Sequence, residues 1–330
     1  MKMLLQQLYR HQYLSRDQAR TALIRIAREQ CNPAETAAFL SAYNMRNINL
    51  EELKGFRDGM LELCHSVDLA SCRTIDVCGT GGDGKDTFNI STLSAFVIAG
   101  TGIPVAKHGN YGVSSISGSS NVMQYLGIRF GKNGSELRKQ LDTAGICFIH
   151  APYFHPGMKA IAPLRKQLGV KTIFNMLGPL SNPAQPACQL VGLYSLDLMR
   201  LYQYIFQDEG KQFCLVHSIS GHDEASLTSD LRCVNNRGEK YYSRQEISPL
   251  EINEEDLSGG STVADAAHIF MSVLEGKGTP AQNEVVIINS ALAIQVYYPE
   301  LSLYDAKQKA AGSLYNRRAL AKFNLLKNLS

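Results

Sequence analysis

The sequence has no tryptophan, little net charge and no C-x-x-C pair among its eight cysteines. A formal net charge of +3 over 330 residues argues against the strongly basic surface that nucleic acids and anionic membranes attract. No run of about 18 apolar residues occurs, so a transmembrane helix is not expected. The cysteine spacing fits neither a zinc site nor a small disulfide framework. We therefore expect reduced thiols in a cytoplasmic protein that binds neither membrane nor nucleic acid.

The first part of the chain carries repeated helix-start signals. Ser15, Asn32 and Asn49 each precede a Gln or Glu by three residues, which is the capping-box pattern. Apolar residues then recur at helical spacing, and no strand signal occurs before Arg73. These signals predict a small helical domain over residues 1–70.

After Arg73 the pattern changes to alternating strands and helices. Short β-rich runs such as RTIDVC, IPVAKHGN, ICFIH and CQLVGLY are separated by helical stretches. This alternation predicts a larger α/β domain over residues 71–330 with a mostly parallel central sheet. The segment LRCVNNRGEKYY has a turn between two β-rich runs and is typical of a hairpin, and Thr279 begins a further capping box.

A glycine-rich segment, DVCGTGGDGKDTFNIST at residues 76–92, matches the phosphate-binding pattern G-x-G-x-x-G through Gly79, Gly81 and Gly84 and nearly matches a second, the P-loop. A dinucleotide fold also needs an acid at the end of the second strand for the ribose, but residues 87–135 contain no Asp or Glu. A P-loop needs a hydroxyl after its lysine, whereas Asp86 follows Lys85. Both nucleotide-binding interpretations are therefore disfavoured.

The same region still has the features of an anion site. The glycines allow close approach of backbone N–H groups, and residues 89–92 fall at the expected start of a helix, where free N–H groups favour phosphate. Lys107 adds a positive charge at the next strand end, and Ser114, Ser115 and Ser119 form a second hydroxyl-rich stretch. Two such stretches at adjacent strand ends suit one ligand with phosphates at both of its ends.

Four segments in register give the sequence a specific resemblance. GTGGDGKDTFNIST, KHGNYGVSS, LRKQLGVKTIFNMLGPLSNP and GHDEASL resemble the signatures of the anthranilate phosphoribosyltransferase family. The resemblance implies a nucleoside phosphorylase/phosphoribosyltransferase-like fold, in which residues at about 160–185 join the helical domain. It further implies a homodimer that uses Mg²⁺. The implied activity is transfer of the phosphoribosyl group from 5-phosphoribosyl 1-pyrophosphate to anthranilate, giving N-(5-phosphoribosyl)anthranilate and pyrophosphate, in tryptophan biosynthesis.

Matching positions in the family assign candidate roles to residues of this sequence. The residues implied to bind phosphoribosyl pyrophosphate are Gly79, Gly82, Asp83, Thr87, Asn89, Ile90, Ser91, Thr92, Lys107, His108, Gly109, Asn110, Ser114, Ser115 and Ser119. Those implied to bind anthranilate are Gly79, Asn110 and Arg165. A guanidinium suits a carboxylate because two parallel N–H bonds can form. Those implied to hold the metal are Ser91, Asp223 and Glu224, and carboxylate oxygens are ligands that Mg²⁺ prefers.

The catalytic contribution is expected to come from positioning and from stabilisation of the leaving group. Lys107 and His108 are the candidates for a direct part in the chemistry, while a hydrogen-bonding role is equally open for His108 and His155. The sequence also departs from the family pattern. Tyr111 and Gly112 replace an arginine-containing pair, Ser120 and Asn121 stand where alanine and aspartate are common, Lys171 replaces arginine, and NMRNIN lacks a glycine-containing turn.

Two alternative functions belong to other classes. A pyrimidine nucleoside phosphorylase has a related architecture and a similar glycine-rich loop, but KHGN and FNMLGPLSNP argue against it. A non-catalytic relative that binds nucleic acid would need a basic face, which the net charge of +3 and the acidic pair Asp223-Glu224 disfavour. Small-molecule substrates are therefore the expected partners.

Overall fold

The computed structural model describes residues 1–112 and 117–329. The chain divides into two compact units: residues 1–66 with 151–185, and residues 67–150 with 186–330. The sequence predicts a helical domain of residues 1–70 that is joined by residues at about 160–185. In the part of the chain that the structure describes, no helix is both long and apolar enough to cross a bilayer.

The smaller unit is helical, and its helices begin where the capping signals lie. Its helices are α1 (Lys2–Tyr9), α2 (Arg16–Ala27), α3 (Pro33–Ala42), α4 (Leu50–Leu63), α8 (Ala151–Phe154) and α9 (Gly157–Leu168), with a 3₁₀ turn at Ile173–Asn175. The predicted capping boxes of Ser15, Asn32 and Asn49 are confirmed, because each side chain accepts from the N–H three residues on. The helix starts are thus set by local sequence.

A buried carboxylate organises the turn before α4. Glu52 is fully buried and accepts hydrogen bonds from the Leu14 N–H at 2.8 Å, the Asn49 N–H at 3.1 Å and the Tyr43 hydroxyl at 3.1 Å. Arg46 pairs with the same carboxylate, and its guanidinium lies over the Tyr43 ring at 4.6 Å. The segment NMRNIN, which departs from the family pattern, therefore supplies the cation that a buried acid requires.

The larger unit contains one seven-stranded sheet. Its strands are β1 (Ile75–Gly79), β2 (Val105–Gly109), β3 (Ile146–His150), β4 (Cys188–Gly192), β5 (Gln212–Ser218), β6 (Leu231–Asn235) and β7 (Gly238–Tyr242). They lie in the order β3-β2-β1-β4-β5-β6-β7. Strands β1 to β5 are parallel, whereas β6 and β7 are antiparallel and form the predicted hairpin. The predicted fold class, a small helical unit with a larger and mostly parallel α/β unit, is confirmed.

Helices cover this sheet and supply most of the core. They are α5 (Ile90–Gly100), α6 (Ser119–Tyr125), α7 (Gly134–Ala144), α10 (Leu196–Asp208), α11 (Arg244–Ile247), α12 (Val263–Leu274), α13 (Pro280–Tyr297), α14 (Leu303–Tyr315) and α15 (Arg318–Asn328), with a 3₁₀ turn at Glu254–Leu257. Helices α5 and α13 are buried along most of their length, as expected for helices that are apolar on all sides. The capping box at Thr279 starts α13 as predicted.

The strand order places a ligand-binding position at one point of the sheet edge. Chain order runs outward from β1 through β2 to β3 on one side and through β4 to β5 on the other. The connections after β1 therefore lead to one side of the sheet and those after β4 to the other side, so the direction of winding reverses between these two neighbouring strands. In open α/β sheets, ligands bind at the carboxyl ends of the strands at such a reversal. The carboxyl ends here are Gly79 of β1 and Gly192 of β4, which are paired in register.

Candidate functional site

Two glycines, at the carboxyl ends of β1 and β4, leave room for the acidic segment that connects β5 to β6 in the chain. A Cβ atom built on Gly192 would lie 1.5 Å from the carbonyl oxygen of Asp223, and one built on Gly79 would lie 2.3 Å from the Asp223 carboxylate. Asp223 and Glu224 thus lie directly against the ends of β1 and β4. Sequence analysis assigned Gly79 and the acidic pair but missed Gly192, although a glycine ending the strand CQLVG was the available signal.

The glycine-rich loop after β1 is held from two sides. Gly81, Gly82 and Gly84 adopt positive φ angles of 68°, 76° and 75°, which glycine tolerates at low cost. The Gly81 N–H donates to the Asp223 carboxylate at 2.5 Å. On the other side, Lys85 pairs with Glu254 at 2.5 Å. The lysine that nearly completes a P-loop pattern is therefore engaged with a carboxylate, which supports the rejection of that pattern.

The distal end of the same loop is fixed by backbone bonds to a segment after the 3₁₀ turn Glu254–Leu257. Thr87 forms an antiparallel bridge with Ser258, and the Phe88 N–H donates to the Leu257 carbonyl at 2.9 Å. The Gly259 N–H donates to the Asp86 carbonyl at 2.8 Å. These bonds leave the loop with a defined path into α5.

The start of α5 presents buried polar atoms that lack protein partners. Among the described residues, Oδ1 of Asn89 and Oγ1 of Thr92 are buried and accept or donate no hydrogen bond. Thr80 Oγ1, at the start of the glycine-rich loop, is also buried and has no hydrogen-bond partner among the described residues. Buried polar groups are nearly always hydrogen-bonded, so the Thr80 and Thr92 hydroxyls are available as donors to a bound ligand, whereas the Asn89 oxygen can only accept. Residues 89–92 lie at a helix start, as predicted.

The end of β2 contributes a buried cation. The Lys107 side chain is only 3% exposed, and its Nζ donates to the His108 carbonyl at 3.1 Å. The His108 N–H donates to the carboxylate of Asp76, a fully buried residue of β1 that sequence analysis did not single out. Gly109 is the last residue of β2, and a Cβ atom added to it would lie 2.5 Å from the Phe148 ring.

Beyond β2, the structure describes part of the second predicted anion-binding stretch. The Asn110 carbonyl accepts from Ser119 Oγ at 3.3 Å, and the Asn110 side chain accepts from the Tyr111 N–H at 2.8 Å. Ser114 and Ser115 lie outside the described residues.

The carboxylates of Asp83, Asp223 and Glu224 lie close to one another near the start of α5. The Ser91 N–H donates to Glu224 at 3.0 Å. Burial, with the adjacent Asp83 carboxylate, raises the pKa of Asp223 above its ordinary range. Burial and the charges of Asp223 and Asp83 likewise raise the pKa of Glu224, while Lys107 partly opposes that increase. Within residues 1–112 and 117–329, no three His, Cys, Asp or Glu side chains meet in a metal-binding arrangement. Two mutually repelling carboxylates with a nearby third still fit a cation that takes its other ligands from water and phosphate.

The remaining predicted residues lie in the helical unit. Arg165 is on α9, donates to the Asn175 side chain at 3.3 Å and lies 5.5 Å from the centroid of the Phe174 ring. Desolvation by burial lowers its pKa, although the guanidinium stays charged. Across the part of the chain that the structure describes, no carboxylate pairs with Arg165. Its neighbour Lys166 is exposed, and His155 is buried.

The family models place these features in a known class of protein. Residues 71–320 match the α/β domain of a glycosyl transferase family, and residues 2–64 match its helical bundle domain. The fold and the glycine-rich site therefore define a two-domain glycosyl transferase.

Individual relatives narrow that class. An anthranilate phosphoribosyltransferase of Christiangramia forsetii is 48% identical over 330 residues, covering 100% of this chain and 99% of the relative. The crystal structure of the Thermus thermophilus enzyme of the same name is 27% identical, with a TM-score of 0.91 and 98% coverage of each chain. The chain belongs to the anthranilate phosphoribosyltransferase family, so the family predicted from the four sequence segments is confirmed.

Solved structures of a yeast relative include ligands. The Saccharomyces cerevisiae anthranilate phosphoribosyltransferase in complex with PRPP and Mg is 26% identical, with a TM-score of 0.88 over 96% of this chain and 93% of that chain. The same yeast enzyme in complex with 4-fluoroanthranilate is 25% identical, with a TM-score of 0.82 and the same coverage.

Proposed function

We propose that this protein transfers the phosphoribosyl group from 5-phosphoribosyl 1-pyrophosphate to anthranilate, releasing pyrophosphate, in tryptophan biosynthesis. The observation that carries the proposal is the anion site at the strand reversal. There, the buried Thr92 hydroxyl, which has no partner among the described residues, lies in the first turn of α5, and the buried cation Lys107 lies two residues before the carboxyl end of β2. Relatives covering the full chain are named for this activity.

The donor is proposed to bind along the glycine-rich loop, the start of α5 and the stretch after β2. The Gly81, Ile90 and Ser91 N–H groups donate within the protein, so the Thr92 hydroxyl and the positive end of the α5 dipole are the proposed contacts of the phosphate oxygens. The residues proposed for this role are Gly79, Gly82, Asp83, Thr87, Asn89, Ile90, Ser91, Thr92, Lys107, His108, Gly109, Asn110, Ser114, Ser115 and Ser119.

Mg²⁺ is the proposed metal, with Asp223, Glu224 and Ser91 as the residues that would hold it. Mg²⁺ supplies charge neutralisation of the pyrophosphate. The chain itself contributes carboxylates whose raised pKa values reflect burial and mutual repulsion, which a cation would relieve. The yeast relative in complex with PRPP and Mg supports the choice of metal.

The chemistry needs few reactive groups from the protein. As pyrophosphate leaves the anomeric carbon, Lys107 and the positive end of the α5 dipole would stabilise the charge that develops on it. The amine of anthranilate is unprotonated at neutral pH, so it can attack without a strong general base. Positioning and leaving-group stabilisation are therefore the proposed sources of catalysis, and the His108 backbone is held in place by the contact of its N–H with Asp76.

A direct assay tests the proposal. Purified protein with phosphoribosyl pyrophosphate and Mg²⁺ should consume anthranilate, which is followed by the loss of its fluorescence, with one pyrophosphate released per anthranilate. A parallel assay for phosphate-dependent cleavage of a pyrimidine nucleoside should be negative. Nucleoside cleavage without anthranilate consumption would replace the proposal with the phosphorylase alternative.

Arg165 is proposed to bind the carboxylate of anthranilate, with Gly79 and Asn110 as its companions. Replacing Arg165 with alanine should raise KM for anthranilate by about 10- to 100-fold, the cost of losing a charged hydrogen bond of roughly 1.5–3 kcal/mol. KM for the donor should change by less than about threefold, because this guanidinium is not assigned to phosphate. Steady-state kinetics with each substrate varied in turn measure both values.

The matched control for this substitution is Lys166→Ala, which removes the exposed neighbouring cation on the same helix. It should leave both KM values unchanged. An equal rise in KM for anthranilate in both variants would indicate a general effect of charge on α9, and the assignment of Arg165 would be withdrawn.

We also propose a cytoplasmic homodimer. Met3 of α1 and Met45, in the turn between α3 and α4, are 82% and 83% exposed in the helical unit. Single exposed apolar side chains are common on monomers, so the proposal of a homodimer rests on the resemblance to the family. Sedimentation velocity at micromolar concentration distinguishes a monomer of 36.3 kDa from a dimer of twice that mass.

A further inference from the structure

A buried asparagine on α13 holds the backbone next to the acidic pair. Asn289 is 2% exposed, and its Oδ1 accepts the Ala225 N–H at 3.1 Å. Its Nδ2 donates to the Ala225 carbonyl at 2.9 Å and to the Val285 carbonyl, within the same helix, at 2.9 Å. One side-chain amide therefore bonds both backbone polar groups of Ala225, the residue that follows Glu224.

This asparagine interrupts a helical stretch that is otherwise almost entirely apolar. Residues 285–294 of α13 are all buried, and most of them are aliphatic. An amide in such surroundings is costly unless its donors and acceptor are hydrogen-bonded. Two of the three hydrogen bonds of Asn289 go to Ala225, which lies 64 residues earlier in the chain. The contact with the acidic segment therefore explains the amide, since a buried helix needs no polar side chain at this point.

A second buried side chain binds the same segment. Ser218, the last residue of β5, is fully buried, and its Oγ donates to the Glu224 carbonyl at 2.7 Å. The same Oγ accepts the Ser226 N–H at 3.1 Å. Two side chains from distant elements thus bond backbone groups of residues 224–226. The backbone just before them, at Asp223, lies against Gly192.

We propose that Asn289 is a positioning residue for metal binding, because it fixes the backbone that carries the Asp223 and Glu224 carboxylates. This inference rests on the proposed function, in which those carboxylates hold Mg²⁺. Mg²⁺ demands near-ideal octahedral placement of its oxygen ligands, so a shift of the acidic segment weakens its binding. The hydrogen bonds of Asn289 go to backbone groups, and it acts on the metal only through the segment that it holds.

Asn289→Ala removes both bonds to Ala225 and should weaken metal binding by about 10- to 100-fold, the range for loss of a group that orients a metal ligand. The probe is Mn²⁺, which suits the same oxygen ligands as Mg²⁺, and electron paramagnetic resonance of the full-length protein measures the free ion. The Mg²⁺ concentration for half-maximal turnover should rise by a similar factor. At saturating Mg²⁺, kcat should return to within about threefold of the unsubstituted protein, because the reacting groups are unchanged.

Ser218→Ala tests the same segment through an independent contact and should weaken Mn²⁺ binding in the same direction, because it releases the Glu224 carbonyl. The matched control is Asn283→Ala. Asn283 is another buried amide of α13, 5% exposed, and its Nδ2 donates to the Gly278 carbonyl at 3.0 Å. Its loss should lower the melting temperature, as Asn289→Ala does, while the Mn²⁺ affinity stays unchanged.

The outcomes separate this inference from the proposed function. If the unsubstituted protein fails to convert anthranilate, the proposed function is wrong and the inference loses its basis. If that protein is active but binds no Mn²⁺, or if folded Asn289→Ala binds Mn²⁺ equally well, the positioning role is wrong while the function stands. An equal loss of affinity in Asn283→Ala also contradicts the role. Should Asn289→Ala fail to fold, the Mn²⁺ affinity of Ser218→Ala decides.

Discussion

Gly192→Ala is expected to lower kcat/KM by about 100-fold or more while the protein remains folded. The added Cβ would lie 1.5 Å from the Asp223 carbonyl oxygen and 2.4 Å from its carbonyl carbon. These are backbone atoms, so no rotamer change relieves the overlap. The segment carrying Asp223 and Glu224 must move, and displacement of catalytic groups by about 1 Å can cost this much activity. Overpacking at a strand end should cost stability only about 1–3 kcal/mol.

Two further alanine substitutions make this prediction specific. Gly79→Ala places its Cβ 2.3 Å from the Asp223 carboxylate, so it displaces the proposed metal-binding side chain directly and should also reduce activity, with a smaller loss of stability because a side chain can rotate away. Gly134→Ala, at the first residue of α7, meets no atom within 4 Å and should leave activity unchanged. Steady-state assays with circular dichroism melts measure all three. Full activity in folded Gly192→Ala would show that the site does not need the observed approach of the acidic segment.

Elements whose signals are local were predictable from the sequence. Capping boxes at Ser15, Asn32, Asn49 and Thr279 mark helix starts, because the side chain and its N–H partner lie three residues apart. The hairpin of β6 and β7 was likewise predictable, because a short turn separates two β-rich runs in the sequence. The helix start at residues 89–92, which we propose binds phosphate, was predictable because a helix start after glycines is also a local pattern.

Contacts between distant segments were not predictable in the same way. The Gly81 N–H and the Asp223 carboxylate are 142 residues apart, and Lys85 and Glu254 are 169 residues apart. Periodicity and capping patterns extend over a few residues, so they carry no information on which loop end meets which strand end. The strand order determines that Gly79 and Gly192 are neighbours. Recognition of family motifs supplied Asp223 and Glu224, whereas the close approach of Asp223 to Gly192 follows only from the packed structure.

Asp223→Asn is expected to separate activity from stability. In the free protein the Asp223 carboxylate is buried beside Asp83, and burial with that charge raises its pKa. An amide keeps an oxygen for the Gly81 N–H and removes the repulsion, so the free energy of unfolding should stay equal or increase. Activity with Mg²⁺ should fall by about 100-fold or more, the scale for loss of one electrostatic stabiliser of a transition state.

Lys107→Ala removes the positive charge that lies near the carboxylates of this site. Lys107 is buried and opposes the raised pKa of Glu224, so its loss should lower activity on a similar scale and also destabilise the carboxylates. Asp142→Asn, in an exposed pair with Arg138, is the control and should change neither quantity, because surface ion pairs contribute little. Denaturant titrations and donor-saturated turnover measure the two effects. If neither Asp223→Asn nor Lys107→Ala lowers turnover, both assignments are wrong, since each charge is expected to act on the departing pyrophosphate.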